Sequence, residues 1–144
     1  MSEESKKAKL NLLRRGTGLF VGLLPLLLII ASIVYGLANS PQPKFTAVGW
    51  MIAAGFFAAL NFSLSFIRPP FLLYVLRIPK EKYKHVSGFP MIGSILLCLG
   101  ICFSFGSIGS ALLGLIYFAF DTGGSVWFLV ATWKDSSLWD SKKL

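Results

Sequence analysis

Ala111-Leu-Leu-Gly-Leu-Ile-Tyr-Phe-Ala-Phe-Asp121-Thr-Gly-Gly-Ser-Val-Trp-Phe-Leu-Val-Ala-Thr-Trp133 is an apolar run with a single carboxylate near its middle. About 20 predominantly apolar residues, rising 1.5 Å each, cross the hydrocarbon core of a bilayer, so the run reads as a membrane span. An ionised side chain at the bilayer centre costs about 2.5 to 3.5 kcal/mol on insertion scales. Asp121 is therefore expected to face the protein interior, with a partner or a task.

Outward from this run, the whole chain has the same character. Its 144 residues are 55% hydrophobic and only 14% charged, with a mean hydropathy of +0.70. A soluble fold of this size could not bury that much apolar surface. Spans are expected at 16–37, 45–67, 88–105 and 110–133, with a basic N-terminal tail 1–15, an interfacial segment 68–87 and a C-terminal tail 134–144. The fold class is thus an all-α membrane protein, a bundle of four transmembrane helices.

Basic residues near span ends tend to stay in the cytoplasm. Lys6, Lys7, Lys9, Arg14 and Arg15 precede the first span, and Arg68, Arg77, Lys80, Lys82 and Lys84 lie between the second and third. The connection after the first span carries only Lys44, and Gly106 to Gly109 is uncharged; Lys134, Lys142 and Lys143 follow the last span, with Asp135 and Asp140. Both termini are expected on the cytoplasmic side. The formal charge of +8 is divided among segments that flank spans, so it points to topology and anionic lipid rather than nucleic acid. The first span follows basic residues as a secretory signal does, but its length and the spans after it favour an uncleaved anchor.

The spans carry packing signals. Ala54/Ala58 and Gly55/Ala59 recur at the four-residue spacing that lets membrane helices approach closely. Pro25 is expected to bend the first span, Pro69 and Pro70 to end or kink the second, and Pro90 to sit in the opening turn of the third. Phe71 to Leu76 is too short to cross and is expected in the headgroup layer, anchored by Arg68, Tyr74 and Arg77, or used as a docking strip. Cys98 and Cys102 share one helix face, but the lone histidine, His85, lies in a connection, so no metal set assembles and the pair reads as packing.

Asp121 is followed by Thr122, Gly123, Gly124 and Ser125, a cluster able to unwind a helix locally. Two readings stand. A helix broken at depth is where transporters bind substrates and ions. Alternatively, a neutral buried carboxyl bonds Asn61, Ser63 or a tyrosine and holds the bundle together. Asn61 is the best partner by type, although depth counting sets it about 7 Å nearer the cytoplasm than Asp121.

Ser87-Gly-Phe-Pro-Met-Ile-Gly-Ser and Phe120-Asp-Thr-Gly-Gly-Ser-Val-Trp together resemble a loose family of small bacterial four-helix inner-membrane proteins, found as immunity partners of polymorphic or contact-delivered toxins. The resemblance covers roughly the C-terminal half. It implies a protein of the bacterial inner membrane that protects its producer by binding a toxin domain or occluding its lesion. Asp121, Gly123 and Gly124 are the characteristic positions, and no catalytic residue carries over.

Enzymatic chemistry would require a nucleophile with a base, paired carboxylates or a metal cluster. One His and six acidic residues are scattered here, and Ser94 and Ser125 lack a base, so neither an enzyme nor a cofactor is expected. Three classes remain: an immunity or interaction protein working through its surface, including the Asn39-Ser-Pro-Gln-Pro loop; a small ion, proton or solute carrier using Asp121; and an assembly subunit of a membrane complex. The expected partners are membrane lipid and a protein toxin or complex subunit, with an oligomer allowed. A carrier fold would often show an internal repeat, and none is visible.

Overall fold

The computed structural model describes residues 3–39, 45–77, 79 and 88–139, and all regular structure among them is helical. The 40–44 connection, Lys80, Lys82, Lys84, His85 and Ser87, and the tail beyond Trp139 lie outside the described residues. Helix α1 is Glu3–Asn39, with Pro25 inside it. Helix α2 is Phe45–Phe62. It continues through π-helical turns at Ser63–Ile67 and Phe71–Val75 that flank the short α-helical Arg68–Pro70. Helices α3 (Ile92–Phe103), α4 (Ile108–Phe120), α5 (Ser125–Thr132) and α6 (Ser136–Trp139) complete the chain. Three stretches are long and apolar enough to cross a membrane: Ser5–Asn39, Thr46–Val75 and Ile108–Thr132. Ile92–Phe103 is apolar but shorter.

Two helices show why these residues pack as they do. The buried residues of α1 are Gly22, Pro25, Ile29, Ser32 and Gly36, and those of α2 are Ala47, Met51, Ala54, Ala58 and Asn61. Both sets alternate steps of three and four, the period that keeps one seam facing a neighbour. Most members are small, which suits lipid, where close backbone approach replaces the hydrophobic effect as the driving force. The opposite faces, with Leu27 and Val34 on α1 and Ile52 and Phe56 on α2, are exposed as lipid-facing residues should be.

Helices α3 and α4 form the middle of the bundle and each packs against both α1 and α2, which flank them on opposite sides. Ile29, Met51, Ala54, Leu97, Ile101 and Ala111 make the central cluster. Helix α2 runs antiparallel to α3, with Trp50 stacked on Phe103 at a centroid distance of 6.4 Å and Asn61 bonded to Phe89. At Gly100 an added Cβ would come 2.7 Å from the Met51 sulfur, so this crossing depends on glycine. The Ser32 hydroxyl accepts a 2.8 Å bond from the Gly106 amide and ties α1 to the α3–α4 turn.

Several boundaries differ from expectation. The prolines do not end α2, because the hydrogen-bond ladder changes step around them. Arg68 N–H reaches back five residues to Ser63, and Phe71 N–H reaches back three to Arg68, so neither imino nitrogen is needed as a donor. Phe71–Val75 is therefore the exposed end of a helix, with Tyr74 80% exposed, and the left-handed Arg77 (φ 51°) follows it. The basic residues from Lys6 to Arg15 are helical and continuous with the apolar run that follows them. The third helix is shorter than 88–105: Met91 is left-handed (φ 64°), and Pro90 precedes the helix instead of opening it. The fourth is interrupted between Phe120 and Ser125, as its Asp-Thr-Gly-Gly cluster permits.

Candidate functional site

Two non-helical stretches, Gly88–Met91 and Asp121–Gly124, meet inside the bundle. Helix α4 stops as Asp121 turns away with ψ 78°, its amide still bonded to the Tyr117 carbonyl. Thr122 N–H then reaches Phe120 and Gly124 N–H reaches the Asp121 carbonyl, both at 2.8 Å, and α5 begins. The two stretches join directly through Met91 N–H to the Gly123 carbonyl at 2.8 Å. Irregular backbone at membrane depth persists only where protein or water satisfies it. Here protein does.

Asn61 is the main supplier. Its amide nitrogen donates to Asp121 Oδ1 at 2.6 Å and to the Phe89 carbonyl at 3.2 Å, while its oxygen accepts from Phe89 N–H at 2.8 Å. One side chain from α2 thus closes both groups of Phe89 and binds the carboxyl. The Ser94 hydroxyl makes a longer contact to Asp121 Oδ2, 3.5 Å, and accepts from Ser125 N–H at 2.9 Å. Ser125 in turn donates to the Gly22 carbonyl at 2.8 Å, linking the node to α1, and the Ser65 and Thr122 hydroxyls pair at 2.8 Å.

Three helix ends meet at this point: α4 ends at Asp121 with its negative pole, while α3 and α5 begin with their positive poles. Among the described residues the donors to Asp121 are uncharged, and the residue is 4% exposed. The glycines around the carboxyl are packed tightly against it. A Cβ at Gly93 would overlap the Asp121 carboxyl, one at Gly88 would overlap the Asn61 amide, and one at Gly124 would lie 2.7 Å from Asp121 Oδ2.

The structure brings together Asp121, Thr122, Gly123, Gly124 and Asn61 of the anticipated residues; among the described residues neither Ser63 nor a tyrosine bonds Asp121. The depth offset disappears because α2 runs on to Val75, which moves Asn61 to the middle of Thr46–Val75. Ala54 and Ala58 lie in the buried seam, Gly55 sits under the Tyr117 ring and Ala59 is exposed. Arg68 is half-buried, while Tyr74 and Arg77 are exposed. Cys98 and Cys102 are free thiols, and among the described residues no cluster of three or more His, Cys, Asp or Glu gathers.

Sequence reasoning missed Ser94 as a structural hydroxyl, having weighed it only as a nucleophile, and placed Ser125 in the helix-breaking cluster without its bond to the Gly22 carbonyl. It missed Phe89, whose contribution is backbone and has no side-chain signature. A groove of about 320 Å3, lined by Ser65, Gly88, Pro90, Thr122, Gly123 and Trp127 among others, reaches the Ser65–Thr122 pair. At the end with Lys134, Arg15 lies 5.6 Å from the Trp133 ring centroid, and Trp139, 8% exposed, packs against Gly18 and donates to the Thr132 carbonyl at 2.7 Å. No family model, curated protein or solved structure matches the chain.

Proposed function

We propose that the chain is a four-span helical bundle of the bacterial inner membrane, with both termini cytoplasmic, that acts by protein–protein contact as a toxin-neutralising immunity protein. The supporting observation is the state of Asp121: the carboxyl that interrupts an apolar span bonds Asn61 and Ser94, and the residue is 4% exposed. A side chain so engaged closes a helix break and leaves little for a reaction or for cargo, so function falls to the outer surfaces. The shared-side topology is supported by Arg15 against Trp133 and Gly18 against Trp139, which bring the two ends of the chain to one end of the bundle. The short α3 counts as a span in this reading because Gly88–Met91 dips to its start, held by Asn61 and Gly123.

Expression with each toxin encoded beside this gene, in a sensitive host, tests the proposal. Survival with one toxin and not with the others is the expected result. Unchanged killing across the set, with the protein confirmed in the membrane, removes it.

One observation favours a second reading. A helix broken beside a carboxylate is also the construction of carrier sites. Proton flux through reconstituted protein, lost in a folded Asp121→Asn variant, would establish that reading instead.

A further inference from the structure

Between α2 and α4 runs a surface groove in two lengths, of about 360 and 330 Å3, that share Tyr117. One wall is α2 and its continuation from Ala47 to Ile67, a rise of about 30 Å and so the thickness of the hydrocarbon core; the other is α4 as far as Phe120. Small residues, Gly55, Ala58 and Ala59, form the floor beside the Tyr117 ring. A Cβ at Gly55 would come 2.6 Å from the ring carbon that bears the hydroxyl and 2.8 Å from the hydroxyl oxygen, so the ring lies directly on the α2 backbone. Among the described residues neither the Tyr117 nor the Ser63 hydroxyl, both on this groove, has a hydrogen-bond partner. At membrane depth no water supplies one, and an acyl chain has nothing to offer a hydroxyl.

We propose that a second copy of this chain, in the same membrane orientation, docks on this groove about a two-fold axis along the membrane normal that passes beside Tyr117. Such an axis returns every residue at its own depth, so a group next to it meets its own counterpart. A hydroxyl suits that position because it both donates and accepts: two phenols bond each other, where two ammonium groups or two carboxylates would repel. Ile52 on α2 and Ile116 on α4, at the rims within a turn of this level, are 66% and 54% exposed and are the knobs that enter the partner's groove, while the small floor lets the backbones come close. No charged side chain lines either length of the groove, so like can approach like. The inference rests on the membrane reading of α2 and α4 and not on toxin immunity.

Energy transfer between copies tests this. In a background lacking Cys98 and Cys102, Lys134→Cys is labelled with donor or acceptor, the two pools are mixed in vesicles of phosphatidylethanolamine and phosphatidylglycerol, and transfer is followed as lipid dilutes the protein. The expected result is a reversible dimer. Tyr117→Phe keeps the ring over Gly55 and is expected to weaken it about threefold, the worth of one side-chain hydrogen bond within a membrane. Ala59→Leu, which fills the groove from its exposed wall, is expected to abolish it, and Val34→Leu on the outer face of α1 to leave it unchanged. With a membrane-soluble oxidant, Ile116→Cys is expected to link two copies and Val34→Cys is not. Transfer absent at every dilution overturns the proposal and leaves the groove to lipid. A dimer indifferent to Tyr117→Phe or to Ala59→Leu, or one linked through Val34→Cys and not Ile116→Cys, overturns it too, by placing the contact elsewhere. Should Ala59→Leu fail to fold, Tyr117→Phe and the pattern of cross-links decide.

Discussion

Asn61→Leu removes an amide while keeping side-chain size, and its cost can be worked from the geometry. Three hydrogen bonds go: two to the backbone of Phe89, at 2.8 and 3.2 Å, and one of 2.6 Å to Asp121. Hydrogen bonds between side chains within membranes average about 0.6 kcal/mol, so three give a floor of about 2 kcal/mol. If the Phe89 N–H and C=O are left unpaired, at about 1 to 3 kcal/mol for each buried polar group, the loss rises toward about 5 kcal/mol. Reversible unfolding in mixed micelles, followed by tryptophan fluorescence, measures this directly. A cycle with Asp121→Asn separates the carboxyl bond from the Phe89 pair, because residues in direct contact should couple by at least about 0.5 kcal/mol. A loss below about 0.5 kcal/mol for Asn61→Leu would show that the node does not hold the two non-helical stretches, and the account of the site would fall.

The same assay separates two glycines: Gly93→Ala, whose methyl meets the Asp121 carboxyl, should cost about 1 to 3 kcal/mol. Gly49→Ala, with open space around the new Cβ, should gain up to about 1 kcal/mol from helix propensity. At the C-terminal end, Asp135 accepts from the Ser137 amide and hydroxyl at 2.9 and 2.7 Å, which holds its carboxyl below the usual carboxylate range. A carboxyl lowered by folding stabilises above its unfolded pKa of about 3.9 and ceases to as pH falls through the lower folded value. Protection of the Ser137 amide should therefore fade only under strong acid, and in Asp135→Asn it should not vary with pH. Trp139→Ala removes the ring from Gly18 and the bond to Thr132, so amide exchange should quicken in α6 while α3 and α4 stay protected. In a background lacking Cys98 and Cys102, thiols placed at Leu112, Ile116 and Val130 should resist a membrane-impermeant reagent that labels a thiol at Lys134. Uniform reaction would remove the membrane reading.

How much was legible in the letters depended on which force each feature reports. Lipid exposure is a property of runs, so Ala111–Trp133 and the apolar part of α1 could be read from composition. Asp121 stood out because a carboxylate is costly there, and the adjoining Gly123 and Gly124 made a helix break foreseeable. The continuation of α2 past Pro69 and Pro70 was not foreseeable, since it depends on neighbouring amides changing acceptors. The placement of Asn61 suffered in turn, because its depth was counted from a span assumed to end near Ile67. Phe89 was invisible for a different reason: a main-chain amide looks the same at every position until a partner stands beside it.

The arrangement around Asn61 also has a consequence for biogenesis. Ribosomes deliver residue 61 before residues 89 and 121, so under the proposed four-span topology the amide that both later stretches need is already in the bilayer when they emerge. Without it, the third and fourth segments would leave the translocon with bare peptide groups facing hydrocarbon. Asn61→Leu should thus lower the yield of inserted chains as well as their stability, and pulse-chase accessibility of the nascent C-terminal half distinguishes the two.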